Sequence, residues 1–263
     1  MSDFDRNAGA AQYGRPLTRA EAAVVDEGLR AYMLRIYNYM VLGLAITGFA
    51  ALGIYALSVT NDPALVVHTV RGIKLTALGY ALFFTPLKWI VFLAPLALVF
   101  FLSFRIENMR PATAQITFWI YAALVGVSLA SIFMVYTSSS ITRVFFITAA
   151  SFGALSLWGY TTQRDLTGMG SFLIMGLFGI IIASLVNVFV ASTMLQWIVS
   201  VVGVLVFAGL TAYDTQRLKS EYIYGAMEGD VMERSAIMGA LSLYLDFLNL
   251  FTMLLSLLGN REE

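Results

Sequence analysis

No cysteine occurs among the 263 residues, which removes disulfides, thiol nucleophiles and Cys-ligated metals from consideration. The single histidine, His68, cannot supply the paired imidazoles that zinc and iron sites usually need. Charge is scarce as well: Asp, Glu, Lys and Arg make up 12% of the chain, about half the share of an ordinary soluble domain. The 16 basic and 16 acidic side chains cancel. With no excess positive charge to neutralise phosphates, nucleic acid is excluded as a partner. No motif implies a bound cofactor, so any chemistry has to rest on carboxylates and hydroxyls.

What the chain has in quantity is apolar length, 59% of its residues being hydrophobic. A bilayer core of about 30 Å takes roughly 20 apolar residues as helix, because the backbone must satisfy its own hydrogen bonds where water is absent. Seven stretches meet that length: 33–59, 86–104, 112–135, 141–160, 169–191, 195–213 and 236–258. They predict an all-α integral membrane protein whose partner is the lipid bilayer. The separators are polar and turn-forming, among them Thr60-Asn61-Asp62-Pro63 and the charged stretch 217–234, and the weakest break falls near Ser192. The segment 64–85, interrupted by His68, Arg71, Lys74 and Gly79, reads as an outer loop with interfacial character. Residues 1–30 lack the apolar core of a cleavable signal peptide and read as a polar mobile tail ahead of one membrane domain, 31–260.

Orientation follows from the Lys and Arg bias. With the N-terminus inside, eleven basic residues fall on the inner side: Arg6, Arg15, Arg19, Arg30 and Arg35 at the start, then Arg105, Arg110, Arg164, Arg217, Lys219 and Arg234. Five fall outside. The expectation is an integral membrane protein with a cytoplasmic N-terminus and an external C-terminus. Small residues four apart, Ala122, Gly126 and Ala130, read as helix–helix contacts of the bundle and carry no functional implication.

The seventh stretch is the most informative. Ser235, Gly239, Ser242, Asp246, Asn249, Met253 and Ser256 recur at alternating steps of four and three, so they share one helical face. Six of the seven are small or polar. Such a stripe faces a protein-lined or wet cavity, and Asp246 sits about ten residues, roughly 15 Å, into its span. An ionisable group at mid-membrane depth is a functional-site candidate, the alternative being a neutral acid bonded to a neighbouring helix. Asp214, after Tyr213 at the inner end of the sixth span, has two readings: an exposed ion pair with Arg217 three residues on, or a partner for Asp246. Two carboxylates that meet in a low dielectric share one proton and act as a pH switch. Once the proton leaves, oxygen-only ligands suit a hard ion such as Ca2+. Arg105, ending the second span on the same side, reads either as a positive-inside anchor or as a latch on the carboxylates. Asn187 in the fifth span reads as an interhelical hydrogen bonder or a cavity-lining group.

At these residues the chain resembles the Bax inhibitor family of transmembrane proteins, and its bacterial YccA-like members in particular. The similarity covers residues 35–260. It is carried by Leu210-Thr211-Ala212-Tyr213-Asp214-Thr215-Gln216-Arg217, by Ala240-Leu241-Ser242-Leu243-Tyr244-Leu245-Asp246-Phe247-Leu248-Asn249-Leu250-Phe251, and by the block from Arg164-Asp165-Leu166 to Gly170-Ser171-Phe172. The resemblance implies six helices around a central seventh. It also implies a pair formed by Asp214 and Asp246 that senses pH in a calcium leak pathway, and a closed state in which Arg105 bonds one aspartate. Ala94 departs from members that carry a glutamate at the corresponding position, which alters the outer part of the implied path.

Two other classes compete. Intramembrane aspartyl proteases also set two aspartates on adjacent helices, but their Gly-x-Gly-Asp motif is replaced here by Leu243-Tyr244-Leu245-Asp246. No His lies in a predicted span to activate a serine. An enzyme is therefore not expected. The resemblance also implies a non-conducting role, in bacteria modulating a membrane-anchored ATP-dependent protease of the FtsH type and in eukaryotes suppressing cell death, with the polar tail as the handle.

Overall fold

The computed structural model describes residues 19–70, 72–225 and 229–261. Most of the expected tail, residues 1–18, lies outside them. The rest of that stretch is not a separate tail, because α1 runs Arg19–Ser58 without interruption. Six further long helices follow: α3, Leu87–Arg105; α4, Pro111–Leu129; α5, Ser138–Thr161; α6, Thr167–Val190; α7, Thr193–Gly225; and α8, Gly229–Leu258. Together with α1 they are seven helices long and apolar enough to cross a membrane. The basic end of the bundle, which carries Arg105, Arg164 and Lys219, is called inner below.

Between α1 and α3 the expected interfacial loop is structured. Strands β1, His68–Val70, and β2, Ile73–Leu75, pair antiparallel with His68 opposite Leu75. The short helix α2, Ala77–Phe84, is capped by Thr76, whose hydroxyl accepts from Gly79 N at 3.2 Å. Thr76 N donates to Ser58 O at 3.0 Å, tying this cap to the end of α1. The break near Ser192 is real. Ala191 adopts a left-handed φ of 50°, and the Asn187 side-chain Oδ1 accepts from Ser192 N at 2.9 Å, which ends α6 and starts α7 within three residues.

The charged stretch 217–234 is not a loop. The α7 helix continues to Gly225 and α8 begins at Gly229. Charged side chains extend both helices past the apolar zone because there they reach water, a circumstance that composition alone does not separate from a loop. At the start of α6, Asp165 Oδ1 accepts from Thr167 N at 2.9 Å. Hydrogen bonding to Thr167 holds the Asp165 carboxyl below the usual aspartate range. A depressed folded-state value contributes stability above the ordinary aspartate range, and that contribution is lost as pH falls through the depressed value. Asp165→Ala is expected to speed amide exchange over the first turn of α6 at neutral pH and to erase that acid dependence.

Helix α8 is the centre. Its buried residues run from Ala236 to Leu255, and Leu243, Tyr244 and Ala240 are fully enclosed. It packs on α1, α4, α5 and α7, whereas α3 packs chiefly on α4, and α6 on α7. Thus six spans ring the seventh, four in close contact with it and two standing off. Small residues make the close contacts feasible in lipid, where packing rather than hydrophobicity drives association. A methyl on Gly126 would lie 2.5 Å from Thr47 O of α1, and Ala122 on α4 and Ala130 just past its end are likewise buried. The stripe read as bundle contacts is therefore located at one.

Candidate functional site

The α7–α8 hairpin sets the site's register. Leu218 lies against Gly239, Ser242 bonds Asp214, Gly203 lies against Met253 and Ser200 bonds Ser256. One alignment holds along the whole pair. It puts Asp214 level with Ser242 and one turn, about 5–6 Å, from Asp246. Both aspartates are buried, Asp214 at 6% and Asp246 at 4% exposure.

Asp214 is fully engaged. Ser242 Oγ donates to Asp214 Oδ2 at 2.5 Å, and Arg217 Nη1 lies 3.5 Å from Asp214 Oδ1. Arg217 Nη2 donates to Ser242 Oγ at 3.3 Å, and its Nε lies 3.5 Å from Glu221 Oε1 without hydrogen-bond alignment. The ion pair with Arg217 therefore exists, but it is not an exposed surface pair. The Arg217 side chain lines a cavity and is 41% exposed, the Asp214 side chain only 9%.

Asp246 is the opposite case. Its Oδ2 is buried with no hydrogen-bond partner among the described residues. Asp214, and after it Arg217, are the charged groups that act on it. The Asp214 carboxyl itself lies within hydrogen-bonding reach of Asp246. A buried polar atom without a partner is rare and costs about 1–3 kcal/mol, more if charged.

The polar stripe of α8 divides into three. Ser235, Gly239 and Ser242 line an inner cavity of about 420 Å³, whose far wall is Val99 and Ser103 of α3. Met253 and Ser256 line an outer cavity of about 410 Å³, whose far wall includes Ser184 and Asn187 of α6. The two helices that stand off from α8 are those that bound the cavities. Asp246 and Asn249 lie between them, on a stretch from Leu245 to Thr252 of roughly 10 Å. Asn249 Nδ2 donates to Leu245 O at 2.8 Å, so its amide folds onto its own helix. Asn187 both lines the outer cavity and caps α6.

Arg105 stands apart from this cluster. It lies exposed in the last turn of α3 and makes no hydrogen bond or ion pair with a described residue. Arg217 is the guanidinium that reaches Asp214 in this conformation. Sequence reasoning also missed the hydroxyls that fix the flanking helices. Ser156 of α5 bonds Thr215 of α7 at 2.9 Å and also bonds Tyr37 of α1. Tyr244 of α8 bonds Thr47 of α1 at 2.6 Å. Among the described residues no cluster of three or more metal-type side chains is present.

Seven spans with a buried carboxylate pair on the central hairpin define a multi-pass membrane protein built around an internal acidic site. The chain belongs to the family described as "Inhibitor of apoptosis-promoting Bax1", whose profile matches residues 29–263. It is 46% identical over 248 residues to the uncharacterized protein RP147 of Rickettsia prowazekii, covering 94% of this chain and 96% of the relative. Identity to an uncharacterized protein of Caulobacter vibrioides is 42% over 265 residues, spanning both chains in full. The inner membrane protein YbhL of Escherichia coli K12 is 44% identical over 239 residues, 89% of this chain and 94% of that one.

Proposed function

We propose that the protein is a pH-gated cation leak pathway of the inner membrane, with Ca2+ as the ion its oxygen ligands suit best. The observation that carries this reading is the tripartite stripe of α8: a polar cavity at each end and, in the segment between, a buried carboxyl that faces Asp214 and keeps one oxygen without a partner among the described residues. The inner-membrane location rests on the similarity to YbhL, and the positive-inside bias gives the orientation.

In the closed form Asp214 is tied to Ser242 and Arg217, and Asp246 faces it as the neutral acid, since a lone buried anion is costly. Loss of the proton places a second negative charge one turn from the first. Repulsion and cation attraction then act together on the 10 Å segment. The sign follows: cation flux rises as pH rises through the titration of the pair and falls on acidification.

Flux of Ca2+ into dye-loaded liposomes across a pH series tests this. Asp214→Asn should remove the pH dependence. Equal, pH-indifferent flux through wild type and both aspartate variants would leave only a non-conducting modulator. A second comparison identifies the latch. If Arg217 holds the closed state, Arg217→Gln should raise flux at acid pH several-fold, whereas Arg105→Gln, at an exposed site, should change it by less than about twofold. The reverse ranking would return the latch to Arg105. Capture of a membrane-anchored protease by protein lacking residues 1–18 tests the tail as a handle: retained capture removes that role.

A further inference from the structure

A second feature of the bundle lies outside the acidic site. Between α1 and α5 runs a furrow in two connected parts. The inner part, about 590 Å³, is bounded by Arg30, Met33, Tyr37, Ser156 and Tyr160. The outer part, about 550 Å³, runs along Leu44, Gly48 and Ala149 to Phe247 of the central helix. Met40 and Phe152 belong to both. Gly48 and Gly153 sit in the walls, and a Cβ at either would meet nothing within 4 Å.

We propose that this furrow binds one anionic phospholipid of the inner leaflet, its phosphate at Arg30 and an acyl chain laid along α1 and α5 toward Phe247. The chemistry along the furrow changes in the order of a phospholipid's parts. At its mouth Arg30 is exposed and makes no ion pair with a described residue, including Glu27 one turn away on the same helix. Lys219 adds positive charge at the same level, its Nζ 5.2 Å from the centre of the Tyr160 ring and donating to Tyr160 O at 2.9 Å. Seven residues beyond Arg30, roughly 10 Å deeper, the hydroxyls of Tyr37 and Ser156 bond each other at the depth of the ester groups. Beyond them the walls are hydrocarbon.

A single chain suits a furrow of this size, which falls within the usual range of small-ligand sites.

The test is native mass spectrometry of the full-length protein in detergent, titrated with phosphatidylglycerol and phosphatidylcholine of identical acyl chains. Wild type is expected to retain phosphatidylglycerol several-fold more tightly. Arg30→Gln should reduce it to the phosphatidylcholine level and Arg30→Lys should largely restore it. Gly153→Leu, which fills the inner furrow without a clash, should weaken both lipids several-fold while circular dichroism stays unchanged. Equal retention of the two lipids by wild type, or undiminished binding to Gly153→Leu, would overturn the proposal. A photo-crosslinker at position 153 that captures polypeptide instead of lipid would overturn it in favour of a partner helix. None of these variants alters an aspartate, so the outcome is independent of the ion-path reading.

Discussion

Asp246→Asn is expected to flatten the pH response of Ca2+ flux across pH 5–8. The amide keeps the size of the carboxyl and can sit neutral in the same dry segment, but it cannot release a proton. One titrating group changes the population it controls by up to about tenfold per pH unit, so wild-type flux should climb by about that factor per unit on the acid side of the transition. The variant should stay within about twofold over the whole range. The level at which it flattens is informative too. A permanently neutral position 246 mimics the protonated form, so flux should rest at the acid, closed level. A plateau at the high level would mean that position 246 in its neutral form does not keep the segment shut, and would sink the gating role assigned to it. Folding should be intact, because Asp246 Oδ2 has no hydrogen bond to lose among the described residues.

The reason for placing the proton at this residue was partly visible in the sequence. Seven positions from Ser235 to Ser256 at three- and four-residue steps could only form one face, and that face is the one that lines both cavities. The spans were legible from length alone, since lipid imposes one solution on the backbone. The choice of cation was only half legible. Arg217, three residues after Asp214, offered an ion pair, but Arg105 ends a span on the same side of the bilayer and loop charge cannot tell which side chain turns inward. The register of α7 on α8 decides it, by setting Asp214 and Arg217 together against Ser242. The extended hairpin was hidden for a related reason, charged residues reading as a loop where they mark helix reaching water.

Other features had signals too local to interpret without contacts. Thr211 and Thr215 donate to carbonyls four residues earlier on their own helix, at 2.8 Å each. A hydroxyl satisfied in that way looks inert in an apolar span. Only the approach of Ser156 shows that Thr215 also ties α7 to α5. The hairpin at 68–75 did carry a readable cue. Short runs with β-branched residues flank Gly72, whose φ of 82° is the positive backbone angle that a tight turn takes from glycine.

Gly159→Leu is the substitution with the largest expected cost in stability, and Gly153→Leu on the same helix is its control. A Cβ at position 159 would lie 2.2 Å from Ala212 O and 2.9 Å from Ala212 Cα. Those are backbone atoms of α7, so no side chain can rotate away and the two helices must separate. Overpacking of this kind costs typically 1–3 kcal/mol. Separation also strains the Ser156–Thr215 and Lys219–Tyr160 bonds on either side, at about 0.6 kcal/mol for each interhelical bond lost in a membrane. The total is about 2–4 kcal/mol. At position 153 the same side chain meets open space and should cost close to nothing. Denaturant titration in mixed micelles should therefore separate the two variants clearly. Function should separate with them, because Ala212 lies two residues before Asp214. Moving that backbone displaces the carboxyl from Ser242, so the pH response should weaken in Gly159→Leu even under conditions where the protein remains folded. Equal stability of the two variants would show that α5 and α7 are not in backbone contact at Gly159. The placement of Asp214 opposite Ser242 would then need a different support.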